Sequence, residues 1–549
     1  MLNRSNSTMK SPLRRAPAVF LLAVLSSAII TMAAAAPVVL NTNLQIRLVM
    51  NTTNSSGHNS VRMAKDPRNN QLYYLKINGD IFRVNLSPPG TPSTSTKVYT
   101  ATDHGLSTNV QGLAIGPDGT IYIVANIANN STTLIARIVK GVPDSNGIRT
   151  WSLLARTEPF PGTTAIFNHL FNALIVSPDG QYLYVNSGAR TDHGEEESIG
   201  GAYPGARDVP LTAKIFRLPV SGSNLVLTND LNSLREAGYL YAEGVRNSYD
   251  FGFAANGDLF ATENGPDRDM AEELNWIRPG MHYGFPWRMG GGDNPQQFPG
   301  YDPSTDKLLD SRYYAVANGL YHNDPTFPPP PTNFAEPVIS VGPDADSFRD
   351  AADGVVKDAS VLGQPISTFT PHRSPLGLVF DTLGAMAPPF QNHGFVLSWT
   401  QGDPTGNGIA GPFKDASEDM LDLDLTKLGT TNYQATVTRI ISGFSNPMDA
   451  EVMGNRVYIL EYGGNQSIWE VTFPPSPPAV TLSGATVGSN GAFGFNVSGA
   501  PGLTYRIESS INLLNWFSVT SLVSTTSPFQ FTDIGATNVP FRVYRAVQH

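Results

Sequence analysis

The sequence predicts an all-β fold, namely a six-bladed β-propeller followed by a small C-terminal β-sandwich-like domain. Three observations predict it: frequent turn residues, a hairpin pattern that recurs six times, and a proline-rich segment after the sixth copy. The 51 glycines and 43 prolines separate many short apolar runs and leave few long helical patterns. A chain of 549 residues also exceeds one ordinary core, so a large closed domain plus a smaller one is expected.

Each copy of the repeat consists of an apolar strand, a turn built on Pro-Asp-Gly or a similar group, and a second strand that alternates with aromatics. One hairpin cannot bury both faces, whereas radial packing of hairpins around a channel can. A sandwich or a solenoid is the alternative, but irregular spacing and long insertions after Arg190, Trp287 and Gly402 favour a propeller whose loops carry function. The six copies begin at Val61, Leu113, Leu174, Phe251, Leu376 and Ala450.

The N-terminal 36 residues have the order of a secretory signal peptide. Lys10, Arg14 and Arg15 precede an apolar stretch at residues 19–30, and small residues follow at 33–36. The apolar stretch is short for a membrane span, so we expect a cleaved leader, no membrane span in the mature chain, and a secreted or periplasmic protein.

Two segments follow the predicted propeller, which occupies residues 37–472. Residues 473–478 form a stiff proline-rich linker that cannot continue a strand. Residues 479–549 change character, with alternating apolar positions such as Phe493, Phe495 and Val497, and they resemble small β-sandwich modules at the C-termini of exported bacterial proteins. A spacer or surface-attachment role is expected for this module.

The charge and the absence of cysteine exclude several function classes. Removing the four basic residues of the leader changes the net charge from −10 to about −14, which argues against nucleic acid and anionic membranes as partners. No cysteine is present, so a disulfide framework, a thiolate metal site and a cysteine nucleophile are all excluded. Neutral sugars and cations remain compatible partners.

Residues 243–287 are the most informative segment for chemistry. Arg246 and Asn247 stand just before an apolar strand, and side chains at the start of such a strand can contact a ligand. Four carboxylates then fall within seven residues, and such a run with nearby turn carbonyls could supply the oxygens that calcium prefers, although a solvated acidic loop is an equal alternative. The carboxylates belong to Asp267, Asp269, Glu272 and Glu273.

This segment resembles the glucose/sorbosone dehydrogenase family through an ordered series of motifs. They are Arg246-Asn247, Glu-Asn-Gly-Pro at 263–266, Glu-Leu-Asn at 273–275, and Pro-Gly to Tyr-Gly-Phe-Pro at 279–286. The resemblance extends over roughly residues 60–472. It implies an exported six-bladed propeller that oxidises a sugar or polyol with pyrroloquinoline quinone (PQQ) and calcium, and that passes electrons to an external acceptor.

The resemblance implies a base and a cofactor-binding pair. Histidine suits proton removal near neutral pH, and His169 matches the family's proposed base, although Asn168 stands where the family has an acid. Arg246 matches the arginine that stabilises the reduced quinone, and Asn247 matches the asparagine that hydrogen-bonds it. A structural salt bridge of Arg246 to Glu243 or Asp250 is the alternative.

The resemblance also implies two calcium sites and further cofactor contacts. Gly265 and Pro266 match the turn whose carbonyls hold the cofactor-bridging calcium, whereas Glu273 and Tyr283 match a second, structural site. This chain has two extra residues between Pro266 and the Glu-Leu-Asn motif. The remaining predicted cofactor contacts are His372, Arg373 and Trp399.

One part of the family pattern is absent. Asn446 and Met448 stand where glucose-oxidising members place two arginines, and Gln401 replaces an expected lysine. A hydrogen bond to a charged group contributes about 1.5–3 kcal/mol of binding free energy, so the loss of these cations is expected to weaken PQQ binding unless other cations compensate. The candidates are Arg373, Arg190 and Arg439.

Two other functions remain open. A propeller that kept the calcium loop but lost redox function would be a calcium-dependent carbohydrate-binding protein, which the missing cations and Asn168 favour. A metal-dependent lactonase would need a central cluster of acidic and amide ligands, for which Glu243, Asn247 and Glu263 are candidates, but their order fits the dehydrogenase motifs better.

Overall fold

The computed structural model of the protein describes residues 36–53, 57–162, 166–197, 202–402, 405, 410–539 and 541–548. The predicted leader lies outside these residues. The described chain is all-β, with only short helices at Ala101–His104, Leu231–Glu236 and Tyr314–Ala317. No helix among the described residues is long and apolar enough to cross a membrane.

Up to residue 472, the described chain forms six successive, mainly antiparallel sheets, and each begins at one of the predicted hairpins. The first sheet contains Ser60–Asp66, Gln71–Lys76, Ile81–Asn85 and Thr94–Tyr99. The second contains Val110–Ile115, Ile121–Ala128, Thr133–Pro143, Arg149–Thr157 and the short strands Phe160–Pro161 and Leu225–Leu227. The third contains Phe171–Val176, Tyr182–Ser187, Lys214–Pro219 and Leu240–Glu243.

The other three sheets follow the same plan. The fourth contains Ser248–Phe253, Leu259–Glu263 and Glu273–Ile277. The fifth contains Pro375–Phe380, Gly394–Ser398, Asp419–Leu428 and Asn432–Ser442, with Val38–Val39 and Ile339–Ser340 paired to its last strand. The sixth contains Pro447–Met453, Arg456–Glu461, Ser467–Thr472 and, from the start of the described chain, Gln45–Asn51.

The first strands of the six sheets, called the inner strands below, contact one another in a closed ring. Apolar side chains pack each sheet against the next, and the last sheet packs against the first in the same way. The strand Gln45–Asn51 completes the sixth sheet by pairing with Ser467–Thr472. The two ends of this region are therefore tied together by backbone hydrogen bonds, which the repeats alone did not predict.

Each inner strand is an edge strand, so its channel-side amides need partners from outside its own sheet. Side-chain carboxylates supply some of them. Asp250 accepts a hydrogen bond from the backbone N–H of Leu378 at 2.9 Å, and Asp449 accepts one from Met63 at 2.6 Å. Each of these bonds links one inner strand to its neighbour, so buried acidic residues help to close the ring.

The last described residues form two three-stranded sheets. One contains Thr481–Val487, Phe493–Ser498 and Phe529–Asp533, and the other contains Thr504–Ser510, Phe517–Val523 and Val543–Gln548. Their facing side chains share one apolar cluster that includes Phe495, Ile507 and Phe531. Smaller elements are the pairs Arg288–Met289 with Gly292–Asp293 and Ser347–Arg349 with Val356–Asp358, and the 3₁₀ turns Pro295–Gln297, Pro303–Thr305 and Ile534–Asn538.

Candidate functional site

The predicted site residues lie near the amino ends of the inner strands. His169 precedes Phe171–Val176, and Arg246-Asn247 precedes Ser248–Phe253. Neighbouring inner strands run in the same direction. Asp449 accepts from Met63 N, and Glu451, two residues later, accepts from Lys65 N, also two residues later. Their amino ends therefore meet at one end of the ring, called the site end below.

Arg246 is buried and held by three hydrogen bonds. Its Nε donates to the carbonyl oxygen of Asp192 at 2.7 Å and its Nη2 to the carboxylate of Asp192 at 2.8 Å, while Nη1 donates to the carbonyl oxygen of Asn264 at 3.3 Å. The guanidinium is thus fixed in one orientation by a bidentate contact with a single residue. The structural salt bridge considered from the sequence exists, but its partner is Asp192.

Sequence reasoning missed Asp192, which is fully buried at the centre of this arrangement. Besides Arg246, its carboxylate accepts hydrogen bonds from Asp267 N at 3.0 Å and from the Tyr321 hydroxyl at 3.3 Å, and it contacts His193 Nδ1 at 2.9 Å. Burial alone would raise the pKa of Asp192, but the His193 hydrogen bond and the Arg246 charge lower it to about 2. The Asp-His-Gly sequence at 192–194, in the insertion after Arg190, was the available signal.

His169 is partly enclosed, and its tautomer is fixed by the backbone. Its Nδ1 lies 3.1 Å from the carbonyl oxygen of Ala189, which can only accept, so Nδ1 carries the proton. Within the described residues Nε2 has no hydrogen-bond partner, so it remains a free acceptor. Burial, and then the positive charge of Arg246, lower the pKa of His169 to about 3. His169 is therefore neutral at working pH.

Asn168 does not orient His169. Its amide donates to the carbonyl oxygen of Gly162 at 2.5 Å, and the Ala189 carbonyl does the orienting instead. Gly188 allows the close approach of this loop, because a Cβ there would lie 2.4 Å from the Cβ of His169. The missing acid therefore leaves the tautomer of His169 defined.

Asn247 joins a buried amide network. Its backbone N–H donates to Glu263 at 2.6 Å, its Nδ2 donates to Asn264 at 2.7 Å, and its Oδ1 accepts from Asn172 at 2.8 Å. Burial raises the pKa of Glu263 to about 7 despite the hydrogen bonds from Ser248 and Asn247. The lactonase candidate Glu243 instead pairs with Arg235 at 2.6 Å, so the structure does not bring the three lactonase candidates together.

The four carboxylates of the acidic run point to different partners. Asp267 accepts from Ala315 N at 2.8 Å, whereas Asp269 contacts His372 at 2.8 Å and Arg349 at 2.9 Å. Among the described residues, no group of three or more His, Cys, Asp or Glu side chains is arranged to hold a metal ion. The acidic run is therefore neither a solvated loop nor a convergent carboxylate cluster.

Glu272 is the member of the run that remains open. It is buried beside the Gly265-Pro266 turn, where its Oε1 accepts from Gly265 N at 3.4 Å and its Oε2 has no hydrogen-bond partner. Burial raises the pKa of Glu272 to about 7. A carboxylate oxygen without a partner beside turn carbonyls is a donor set of the kind that hard cations prefer, so this turn fits a calcium ion.

Glu273 and Tyr283, predicted for the second calcium site, are engaged with the protein. Glu273 accepts from Gly290 N at 2.6 Å and from Asn275 at 2.9 Å. The Tyr283 hydroxyl donates to the carbonyl oxygen of Trp276 at 2.6 Å. Burial raises the pKa of Glu273 to about 8. The structure shows no contact between the two side chains.

Arg373 does not face an open site, which contrasts with its predicted cofactor role. It is fully buried, donates to both oxygens of Asp419 at 2.6 Å and pairs with Asp415. Burial disfavours its charged form, but these two carboxylates raise its pKa above the usual value. The two predicted neighbours differ: His372 stacks on Tyr313 at 4.0 Å, and Trp399 is half-buried near Tyr462.

The side of the site end formed by the sixth sheet has no cation at the two positions where the resemblance implies arginines. Met448 is buried in an apolar cluster, and the Asn446 amide donates to the carbonyl oxygen of Trp399 at 3.0 Å. The arginines considered as replacements are occupied: Arg190 donates to the Glu197 carbonyl oxygen at 2.6 Å, and Arg439 pairs with Asp419 at 2.6 Å. All three replacement arginines thus donate to protein groups, although the Nε atoms of Arg190 and Arg373 have no hydrogen-bond partner among the described residues.

Comparisons with known proteins support the family resemblance. Residues 62–307 match the family model described as Glucose / Sorbosone dehydrogenase, which confirms the resemblance predicted from the motifs. A search of curated protein sequences gave no match.

Several solved structures are similar to the chain. The apo-form of the soluble aldose sugar dehydrogenase from Escherichia coli shares 13% identity, over 78% of this chain and 99% of that one, with a TM-score of 0.47. The PQQ-bound aldose sugar dehydrogenase from Streptomyces coelicolor shares 17% identity, over 80% and 99%, with a TM-score of 0.43. The holo PQQ domain of pyranose dehydrogenase from Coprinopsis cinerea shares 13% identity, over 80% and 97%, with a TM-score of 0.46.

Proposed function

We propose, from the glucose/sorbosone dehydrogenase match and the geometry of the site end, that this protein oxidises a hydroxyl group of a sugar or polyol. The observation that carries the proposal is His169, whose Nδ1 proton is held by the Ala189 carbonyl while Nε2 remains free beside Arg246. A neutral imidazole with one free nitrogen is what proton removal from a hydroxyl requires.

Asp192 supports this role of His169. When Nε2 takes a proton, the imidazolium that forms is disfavoured by Arg246 and favoured by the negative charge of Asp192. The same carboxylate holds Arg246 in position through its ion pair at 2.8 Å. One buried aspartate therefore orients the cation and stabilises the protonated base.

The proposed cofactor is PQQ, held at its quinone end by Arg246 and Asn247. Bound there, the quinone would accept the hydride that leaves the substrate carbon. The fixed guanidinium and the neighbouring amide fit carbonyl oxygens of a planar ring. The fit does not extend to the three carboxylates of PQQ, because the sixth-sheet side offers Met448 and Asn446 where cations would be needed.

Calcium is the second proposed cofactor, with Gly265, Pro266 and Glu272 as its ligands. The support is the free buried Oε2 of Glu272 beside the turn. A divalent cation there would also supply positive charge that the replacement arginines do not. We therefore expect quinone binding to depend on calcium.

The proposal includes the architecture and location of the protein. The closed ring of six sheets supports a six-bladed propeller at residues 37–472, and the two three-stranded sheets support a sandwich-like module at 479–549. The leader-like sequence at residues 1–36 supports export to the periplasm or the medium. An external electron acceptor would then reoxidise the cofactor.

Dye reduction by the purified protein tests the proposed activity. The protein is supplied with PQQ and calcium and given a panel of aldoses and polyols, and quinone binding is measured in parallel with and without calcium. His169→Gln is expected to lose about 10²-fold or more in kcat while still binding the quinone. His58→Gln, at an exposed histidine, is the matched control. No turnover with any substrate together with no quinone binding would refute the proposal.

A calcium-dependent carbohydrate-binding protein is the second candidate function. The lack of cations at positions 446 and 448 and the pairing of Arg373 and Arg439 with carboxylates favour it, because both argue against a trianionic cofactor. Calcium-dependent retention on a polysaccharide column without any quinone-dependent turnover would support this candidate over the dehydrogenase.

A further inference from the structure

A cavity lies in the channel, away from the site end. Its volume is about 450 Å³, and it is lined by all six inner strands and by the turns that follow some of them. The lining residues come mainly from the middle and the carboxyl-terminal parts of these strands, whereas the candidate site lies at their amino ends. The cavity has the size of a small-molecule pocket and contains none of the residues assigned to catalysis.

The lining has six charged side chains: five are built into the inner strands, and the sixth, Asp381, follows one of these strands and accepts from Ala385 N at 2.8 Å. Part of each is used for structure: Glu451 accepts from Lys65 N at 3.0 Å, and the Lys65 ammonium donates to the carbonyl oxygen of Val452 at 2.5 Å. Asp250 and Asp449 bond amides of neighbouring strands as described above. The fifth is Arg62, whose Nε donates to the carbonyl oxygen of Gln111 at 3.0 Å.

Arg62 has hydrogen-bonding capacity that the protein does not use. The residue is only 2% exposed and its guanidinium lies 3.9 Å from the centre of the Tyr249 ring. Its Nη1 has no hydrogen-bond partner, and the nearest carboxylate oxygen, on Asp250, is 3.8 Å away. A buried guanidinium nitrogen without an acceptor is costly, and a ligand in the cavity that Arg62 lines could supply one.

The surrounding charges restrict what that partner can be. An anion would satisfy Arg62 but would lie beside the four carboxylates of the lining. A cation would suit the carboxylates but would face Arg62 and Lys65 and leave Nη1 without an acceptor. A neutral group that both accepts and donates suits both sets, and hydroxyl groups have this property.

We propose that the channel cavity binds a neutral polyhydroxylated molecule, a monosaccharide or a linear polyol, at a site separate from the site end. Its hydroxyls accept from Arg62 and donate to Asp250 and Glu451. Its C–H surface packs against the partly exposed apolar side chains of the lining. Water in the cavity would offer these side chains no apolar contact. These side chains are Ile115, Ile175, Phe253 and Val379.

The test is equilibrium dialysis of the full-length protein, without quinone, against labelled D-glucose and labelled D-glucitol. Glu451→Gln keeps the acceptor for Lys65 N but removes the charge, and it is expected to weaken binding about tenfold. Val379→Trp fills the cavity and is expected to abolish this binding. Glu236→Gln and Val361→Trp, both at exposed positions, are the matched controls.

His169→Ala separates this site from the proposed active site. Binding that persists in His169→Ala but is lost in Val379→Trp is the expected result. The proposal is overturned if neither compound binds, if Val379→Trp binds as well as the Val361→Trp control, or if His169→Ala removes all binding. It is also overturned if Val379→Trp abolishes the binding of acetate or calcium but leaves sugar binding unchanged, since the occupant of the channel is then an ion. These outcomes do not depend on whether the protein is a dehydrogenase.

Discussion

Replacing Asp192 with asparagine should destabilise the protein in a pH-dependent way. Asp192 is fully buried, and its carboxylate receives Arg246, His193, Tyr321 and the Asp267 amide. Removing one partner of a buried ion pair costs about 3–5 kcal/mol because the other charge is left uncompensated. At pH 7 we therefore expect Asp192→Asn to lose at least about 3 kcal/mol of unfolding free energy.

The pH dependence follows from the lowered pKa. The ordinary pKa of 3.8 falls to about 2 in the folded protein, and this difference contributes about 2 kcal/mol of stability. Because the folded pKa is lowered, that contribution is fully present above the unfolded pKa near 4 and is lost as the pH falls towards 2. The gap between wild type and Asp192→Asn should therefore narrow by about 2 kcal/mol over this interval.

Urea unfolding at a series of pH values, followed by tryptophan fluorescence, measures both effects. Asp293→Asn is the matched control, because Asp293 is an exposed aspartate that also pairs with a cation, Arg288. The control should show no change in its gap to wild type with pH. A stability for Asp192→Asn within about 0.5 kcal/mol of wild type at pH 7, or a gap that widens on acidification, would refute the assignment of Asp192 as a buried anion.

Three further predictions follow from the site. His169 has a pKa of about 3 and must be neutral to act as a base, so its protonation should not lower kcat/KM as the pH falls through 6.5. An NMR titration that assigns a pKa near 6.5 to His169, together with a loss of kcat/KM there that is absent in His169→Gln, would contradict this prediction. Glu272→Gln should weaken calcium binding, measured by calorimetry, at least tenfold, whereas Glu236→Gln, at an exposed position, should not. Equal calcium affinities of the two variants would exclude the Gly265-Pro266 turn as the calcium site. Arg373→Gln should lower the urea midpoint strongly because it leaves Asp415 and Asp419 unpaired, and an unchanged midpoint with weakened quinone binding would instead restore its predicted cofactor role.

The repeated hairpins could be predicted from the sequence because turn chemistry and strand alternation are local. Each Pro-Asp-Gly type turn is determined by a few adjacent residues, and the apolar strands flank it directly. Closure of the ring was not visible, because the pairing of Gln45–Asn51 with Ser467–Thr472 joins residues more than four hundred positions apart and leaves no periodic signal. The all-β class was predictable and the closing strand was not.

For the site, proximity in sequence was a poor guide to proximity in space. Asp269 and Glu272 are close neighbours in the chain, yet one pairs with Arg349 and the other points at the Gly265 turn. Asp192 lies more than fifty positions before Arg246 and still forms its closest contact, because the insertion that carries it reaches the start of the fourth sheet. Long insertions have no repeat to align them, so their contacts cannot be read from the pattern.

Edge-strand chemistry explains why charged residues occur along the channel at all. The inner strands of a closed ring present amides that no sheet partner can reach, and carboxylates such as Asp250 and Asp449 accept from them across the gap between sheets. Once such acids are buried, nearby cations such as Arg62 are needed to offset them, and neither set uses all of its hydrogen-bonding capacity. At the site end a different source supplies the fixed charge, because Asp192, which orients Arg246, belongs to the insertion after Arg190. Along the channel the polar groups follow from the requirements of closure, and a ligand site can form where one of them is left without a partner.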